Sequence, residues 1–264
     1  MPGFLARRQH VASVGWTNDV VRDWLAAGVP EVCLATADEQ TAGRGREGRS
    51  WVAPAGGALL ASLGFRPTWL APERVWQLAA CVSLAMARAA EEVASVPAGT
   101  VRLKWPNDLV VAGGDGDVRK LAGVLGESDG LGTDDPRVVV GIGVNGDWAA
   151  DDFPAELAAT MTSLREVAGL SIDHEALLDA FLAELEPAID ALRAGDFDGE
   201  TWAARQATTD RDIDLIGPDG SRTTVRATGV DPASGALLVG DRAVLVGEVR
   251  HVRLASPARA GSGV

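Results

Sequence analysis

Apolar positions change their spacing along the chain, and each change marks an element. Residues 17–28 (TNDVVRDWLAAG) carry a short helical pattern, which Thr17 or Asn18 can cap and Gly28 can end. Residues 32–37 (VCLATA) are an unbroken apolar run of strand length, and 58–67 (ALLASLGFRP) read as the next strand. Over 72–95, Val75, Leu78, Ala79, Val82, Met86 and Ala90 recur at helical spacing behind Pro72, which predicts a long helix. The run VRLKW (101–105) is a strand broken by Pro106. The stretch DLVVAGGDGDVRKLAGVLGES reads as a hairpin turning at 113–116, and RVVVGIGVNGDW (137–148) as a strand leading into a loop. Over 173–194, Leu177, Leu178, Phe181, Leu182, Leu185 and Ile189 fall on one face of an amphipathic helix.

The texture changes near residue 208. Short apolar runs then alternate with turn signals (Pro-Asp-Gly, Asp-Pro, Ser-Gly, Gly-Asp) every eight to ten residues, the pattern of a small β-barrel. The expected division is a large unit over 1–207, a barrel over 208–256 and a flexible tail over 257–264. A chain of 264 residues is long enough for both units.

Composition narrows the classes of function. Hydrophobic residues make up 47% of the chain, which marks a globular protein. No apolar run reaches membrane-spanning length, and residues 1–9 contain no signal-peptide core, so a cytoplasmic protein with no membrane partner is expected. Cys33 and Cys81 lie far apart with no CxxC, which reads as two core residues rather than a disulfide or zinc framework. The three histidines, His10, His174 and His251, show no metal-ligand spacing. A formal net charge of −13 argues against broad nucleic-acid binding.

Against that acidic background, TAGRGREGRSW (41–51) stands out. Arg44, Arg46 and Arg49 alternate with Gly43, Gly45 and Gly48 and oppose only Glu47, a local balance of +2. Such glycines let backbone N–H groups face an anion, and arginines supply planar donors for carboxylate and phosphate. A solvated loop or an RNA-contacting Arg-Gly segment would look similar. In KWPNDL, Lys104, Asn107 and Asp108 sit at a strand end, where sites are commonly built, although Pro-Asn-Asp is also an ordinary turn. In RKLAGVLGE, Lys120 enters an apolar strand ahead of Ala122 and Gly123, small residues that admit a ligand. In GIGVN, Gly141 and Gly143 interrupt a buried strand before Asn145. It is not a GxGxxG fingerprint, because no helix follows in the right place, and the chain has no P-loop signature.

Taken in order, GWTND, QTAGRGREGRSW, KWPNDL, KLAGVLGE and GIGVN resemble the biotin–protein ligases over roughly residues 13–148. The resemblance implies an α+β fold: a mixed, largely antiparallel sheet flanked by helices, of the class II synthetase-like kind, plus a small SH3-like β-barrel. It implies that biotin and ATP react, with Mg²⁺, to give biotinyl-5′-AMP, and that a lysine of a biotin carboxyl carrier domain of an acyl-CoA or pyruvate carboxylase then takes the biotinyl group. By similarity, Lys120, Arg44 and Arg46 are catalytic and meet the carboxylate and phosphate. Thr17, Asn18, Gln40, Gly43 and Gly45 surround biotin, and Trp51 packs over the ligand. Gly123, Gly141 and Gly143 line the floor, with Asn145 near the adenine. Lys104, Asn107 and Asp108 serve the phosphate side, Asp108 also facing Mg²⁺.

Two positions depart from the family pattern. Trp16 stands where serine is usual before Thr17-Asn18, and Glu47 interrupts the basic loop. The first family motif begins near Ser13, so a DNA-binding domain ahead of it is not expected, while a homodimer is allowed. Two other readings compete: a lipoate or octanoyl ligase, which should show a histidine-containing glycine signature, and a non-enzymatic Arg-Gly binding module, which should be basic.

Overall fold

The computed structural model describes residues 3–113, 117–217, 220–245 and 248–251. A seven-stranded sheet is built from β1 (Arg7–Val14), β2 (Cys33–Gln40), β3 (Ala58–Phe65), β4 (Arg102–Lys104), β5 (Asp108–Ala112), β6 (Val118–Asp129) and β7 (Arg137–Asn145). Its order is β1-β2-β3-β7-β6-β5-β4. Only β1 and β2 run parallel; the remaining neighbours are antiparallel. The mixed, largely antiparallel sheet is the expected one.

Alternation along the central strands assigns the two faces. Val138, Val140, Ile142 and Val144 of β7, with Leu59, Ala61, Leu63 and Phe65 of β3, point into the main core. There they meet α2 (Trp76–Val93) and α4 (His174–Arg193), whose Leu78, Met86, Phe181 and Leu185 are also buried. The opposite face carries α1 (Thr17–Ala26), which packs Val21, Trp24 and Leu25 on Cys33, Ala35 and Val139. Beyond the start of α1, that second face is lined by glycines and polar groups, and there the site forms.

Lys120 reaches that face because of a β-bulge. The pairing of β5 with β6 slips between Leu109, opposite Ala122, and Val110, opposite Lys120. Leu121 is therefore the extra residue, and both Leu121 and Ala122 turn into the core. Simple alternation would put Lys120 on the core side with Ala122 and Val124. The bulge changes the phase and aims it beside Gly123 instead.

The second sheet is antiparallel, with order β11-β10-β9-β8-β12. Its strands are β8 (Arg211–Ile216), β9 (Arg222–Val230), β10 (Leu237–Val239), β11 (Arg242–Val244) and β12 (Glu248–His251). Gly235 (φ 73°) and Gly240 (φ 57°) sit in turns whose left-handed backbone favours glycine. Beside the second sheet, β4 and the residue after it bond to residues 205–207 and to the turn before β10. Leu103 donates its N–H to Arg205 O at 3.0 Å and accepts from Ala207 N at 2.6 Å, while Trp105 Nε1 donates to Gly235 O at 3.1 Å.

Some local expectations are corrected. Neither Thr17 nor Asn18 caps α1: Trp16 is the N-cap, extended at φ −157°, and makes no side-chain cap bond. Thr17 and Asn18 lie inside the first turn, buried against the sheet. The helix expected over 72–95 opens with a 3₁₀ turn, Pro72–Arg74, before α2 begins. Three elements have no counterpart among the sequence expectations: β1, α3 (Leu164–Ala168) and α5 (Gly199–Ala204). The two short helices are capped by Ser163 and Asp198, which accept from Glu166 N and Thr201 N. Residues 114–116 of the expected turn and the whole expected tail lie outside the described residues. Burial raises the thiol pKa of Cys33 to about 11 and of Cys81 to about 12, in keeping with core roles. Among the described residues, no helix is long and apolar enough to cross a membrane.

Candidate functional site

The glycine face of the sheet forms the floor of a cleft of about 580 Å³. The start of α1, the 41–51 loop, the 104–108 turn and residues 157–161 complete its walls. Arg44, Arg46, Arg49, Lys104 and Lys120 line it against Glu47, Asp108 and Asp117, five cations to three carboxylates in a chain of net charge −13. Converging cations with few counter-charges suit a polyanionic ligand.

Asp108 organises the lysines. Its Oδ1 lies 2.7 Å from Lys120 Nζ and its Oδ2 lies 3.9 Å from Lys104 Nζ. Asn107 sets the turn, donating Nδ2–H to Val124 O at 2.8 Å while its carbonyl accepts from Val124 N at 2.9 Å. The Lys120 backbone is gripped from the other side, donating to Thr160 O at 2.8 Å and accepting from Thr162 N at 2.9 Å. Asn145 stands behind the wall, 1% exposed, and donates to Thr162 O at 3.0 Å. It braces the segment that holds Lys120 and does not line the cleft.

The floor glycines make room for the protein's own side chains. A Cβ on Gly141 would stand 2.2 Å from Asn18 Oδ1, and one on Gly143 would stand 2.6 Å from the Trp51 indole. One on Gly123 would stand 3.1 Å from Lys120 Nζ. Trp51 thus lies along the floor, within 5.5 Å of Lys120 Nζ, and its buried Nε1–H has no hydrogen-bond partner among the described residues. A buried donor left unpaired favours a ligand that brings an acceptor.

At the α1 end runs a buried polar chain. Gln40 Oε1 accepts from Thr17 N (2.8 Å) and Thr17 Oγ1 (2.7 Å), Thr17 Oγ1 meets Ser62 Oγ (2.7 Å), and Ser62 Oγ donates to Asn18 Oδ1 (2.6 Å). Asn18 Nδ2 continues to Glu127 Oε2 at 2.9 Å, which also accepts from Arg22 at 2.8 Å. Burial opposes the charge on Arg22, but its bonds to Asp19 and Glu127 outweigh this and raise its pKa. Thr17 and Ser62 have two hydroxyl protons for three oxygen–oxygen contacts, so the chain is one donor short. Thr17 Oγ1 and Asn18 Oδ1, on residues that line the cleft, each keep a lone pair that can accept from a ligand N–H.

The loop itself is a small hairpin. Trp51 N donates to Gly43 O at 2.9 Å, Gly45 N donates to Arg49 O at 2.7 Å, and Arg44 bridges Ser50. Gly43 is buried below the cleft lining, where a Cβ would stand 2.7 Å from Trp51 O. Glu47 occupies the tip at φ 56°, a left-handed conformation uncommon for a residue with a side chain.

Most of the site residues read from the sequence therefore converge on one cleft; Gly43 and Asn145 support it from behind. The sequence reading overlooked Ser62, Arg22, Asp117 and the 157–161 segment, none of which belongs to a recognisable motif. No cluster of three or more His, Cys, Asp or Glu able to hold a metal exists among the described residues. Asp108, which the resemblance places toward Mg²⁺, is engaged here by Lys120 and Lys104.

Comparison with known proteins agrees with this geometry. The pattern described as the biotin/lipoate A/B protein ligase family matches residues 10–145. The chain is 32% identical over 249 residues to the biotin–[acetyl-CoA-carboxylase] ligase of Mycobacterium tuberculosis, covering 92% of this chain and 88% of that one. It is 40% identical over 156 residues to the Paracoccus denitrificans ligase of the same description, covering 59% and 62%. The Aquifex aeolicus biotin protein ligase in complex with biotin and ATP superposes with a TM-score of 0.76 at 25% identity, covering 94% of this chain and 99% of that one.

Proposed function

Because this chain belongs to the biotin/lipoate A/B protein ligase family, we propose that it activates biotin with ATP and transfers it to a lysine of a biotin carboxyl carrier domain. The observation that carries this reading is the cleft itself, in which five cations surround a glycine floor that adjoins an acceptor-rich polar chain. The chain suits the N–H groups of a ureido ring, and the cations suit a carboxylate meeting a triphosphate.

In the first step a biotin carboxylate oxygen attacks the α-phosphorus of ATP. The bond to the leaving pyrophosphate breaks, giving biotinyl-5′-AMP. The reactants are both anionic, and Lys120 with Arg44 and Arg46 offsets the charge that builds between them. Lys104 faces the phosphate side, and Asp108 holds both ammonium groups in place before the ligand arrives. Mg²⁺ bound to the nucleotide adds further charge neutralisation. In the second step the neutral amine of the carrier lysine attacks the acyl carbon, the bond to AMP breaks, and the amine loses its proton. The field of Lys104 and Lys120 favours that neutral amine, since like charges disfavour an incoming ammonium.

The reading keeps the division into a catalytic unit over 1–207 and an SH3-like barrel over 208–256, which the separate five-stranded sheet supports. An acyl-CoA or pyruvate carboxylase is the acceptor it favours, supported by the acetyl-CoA-carboxylase in the names of the relatives. The chain's acidity supports an enzyme that does not grip operator DNA through this region.

ATP–pyrophosphate exchange tests the first step. Exchange should depend on added biotin and remain at background with lipoate or octanoate. Exchange driven by lipoate or octanoate and not by biotin would move the chain to the other branch of its family.

A further inference from the structure

The indole of Trp16 and the guanidinium of Arg44 meet at the root of the cationic loop. We infer that Trp16 is a positioning residue: its ring holds Arg44, and through it the 41–51 hairpin, over the cleft before any ligand binds. This role rests on the proposed function, in which that loop meets the ligand's charge.

Trp16 is 4% exposed and lines the cleft. The two residues before it anchor the loop, since Thr41 N donates to Val14 O at 2.9 Å and Ala42 N to Gly15 O at 2.8 Å. Its ring therefore stands where the hairpin leaves the sheet. The Arg44 guanidinium carbon lies 4.9 Å from the ring centroid, and that of Arg22 lies 5.7 Å away. Both distances fall within reach of the attraction between a cation and an aromatic face.

The loop needs such an anchor. Its glycines give it high conformational entropy, and its arginines repel one another. Its internal bonds close the hairpin on itself but do not tie it to α1. The Trp16–Arg44 contact adds such a tie, beyond the bonds of Thr41 and Ala42 to Val14 and Gly15. It also presents Arg44 to the cleft that Thr17 and Gln40 line, where the charged end of a ureido-bearing ligand would arrive. A small hydroxyl side chain at position 16 would have no ring face to offer, so this chain exchanges one polar group for a loop anchor.

Hydrogen exchange on the ligand-free protein tests this. Trp16→Leu and Arg44→Met should each speed exchange of the 43–50 amides roughly two- to fivefold, the scale of one such contact. The double variant should add nothing further, because both changes remove the same contact. Trp16→Phe, which keeps a ring face, should restore most of the protection. Arg44 is exposed, so Arg44→Met reports on the contact even if Trp16→Leu folds poorly. Unchanged exchange in Arg44→Met, or additive effects in the double variant, would overturn the assignment. The measurement needs neither biotin nor ATP. A loosened loop in a protein whose pyrophosphate exchange ignores biotin would uphold the anchor and sink the ligase reading, and the converse pair of results would do the opposite.

Discussion

Replacing Lys120 by alanine should slow formation of the acyl-adenylate by about 10²-fold or more, the scale for removing one preorganised electrostatic donor from a site that has lost its water. The structure invests heavily in this ammonium. A bulge at Leu121 brings it to the cleft face, Asp108 holds it at 2.7 Å, and Thr160 and Thr162 grip its backbone. Little of the loss should come from unfolding, because the side chain is 27% exposed and packs no core. Single-turnover release of pyrophosphate reads the step directly. A rate within a few-fold of the unaltered protein would remove Lys120 from the reaction. Thermal unfolding of the variant should match the parent closely.

The second large effect concerns stability. Glu91 on α2 is 5% exposed, and its carboxylate accepts four hydrogen bonds. Oε1 takes Gly99 N at 2.8 Å, Val101 N at 2.9 Å and Arg205 NH1 at 2.9 Å, while Oε2 takes Arg205 NH2 at 3.0 Å. One carboxylate thus ties α2, the approach to β4 and the end of α5. Glu91→Ala strands the Arg205 charge and leaves the buried Val101 N–H unpaired, along with that of the exposed Gly99. Breaking a buried pair in this way costs about 3–5 kcal/mol, a large share of a typical total of about 5–15 kcal/mol. Urea unfolding should show the midpoint falling sharply with little change in slope. A double change to apolar residues, Glu91→Leu with Arg205→Met, should cost less than Glu91→Ala alone. A loss below about 1 kcal/mol in the single variant would show that the carboxylate is not holding this joint.

Much of this structure can be read from the sequence, for definite physical reasons. β7 is legible because Val138, Val140, Ile142 and Val144 face the core on every second position, leaving Gly141 and Gly143 for the cleft. α4 is legible because its buried Leu177, Phe181, Leu185 and Ile189 follow the helical period behind a capping Asp173. β1 is not, because it is a sheet-edge strand of mostly exposed residues and no apolar alternation records its position. The bulge that aims Lys120 is equally hidden: both Leu121 and Ala122 are apolar, and the chain alone does not say which strand carries the extra residue. The same limit applies to partners in space. Ser62 looks like any small residue in an apolar strand, yet it joins Thr17 to Asn18 across 44–45 positions of sequence. The glycines read as space for a ligand, and the fold adds that they also admit Asn18, Trp51 and the Lys120 ammonium. Trp16 departs from the family pattern, and only the fold brings Arg44 onto its ring.

The most direct test of the central claim is intact-mass spectrometry of an isolated biotin carboxyl carrier domain incubated with this protein, ATP, Mg²⁺ and biotin. The account predicts a gain of one biotinyl group on the acceptor lysine, abolished when that lysine is replaced by arginine or when ATP is left out. An unmodified carrier in the complete mixture, with lipoyl acceptors modified when lipoate or octanoate replaces biotin, would contradict it.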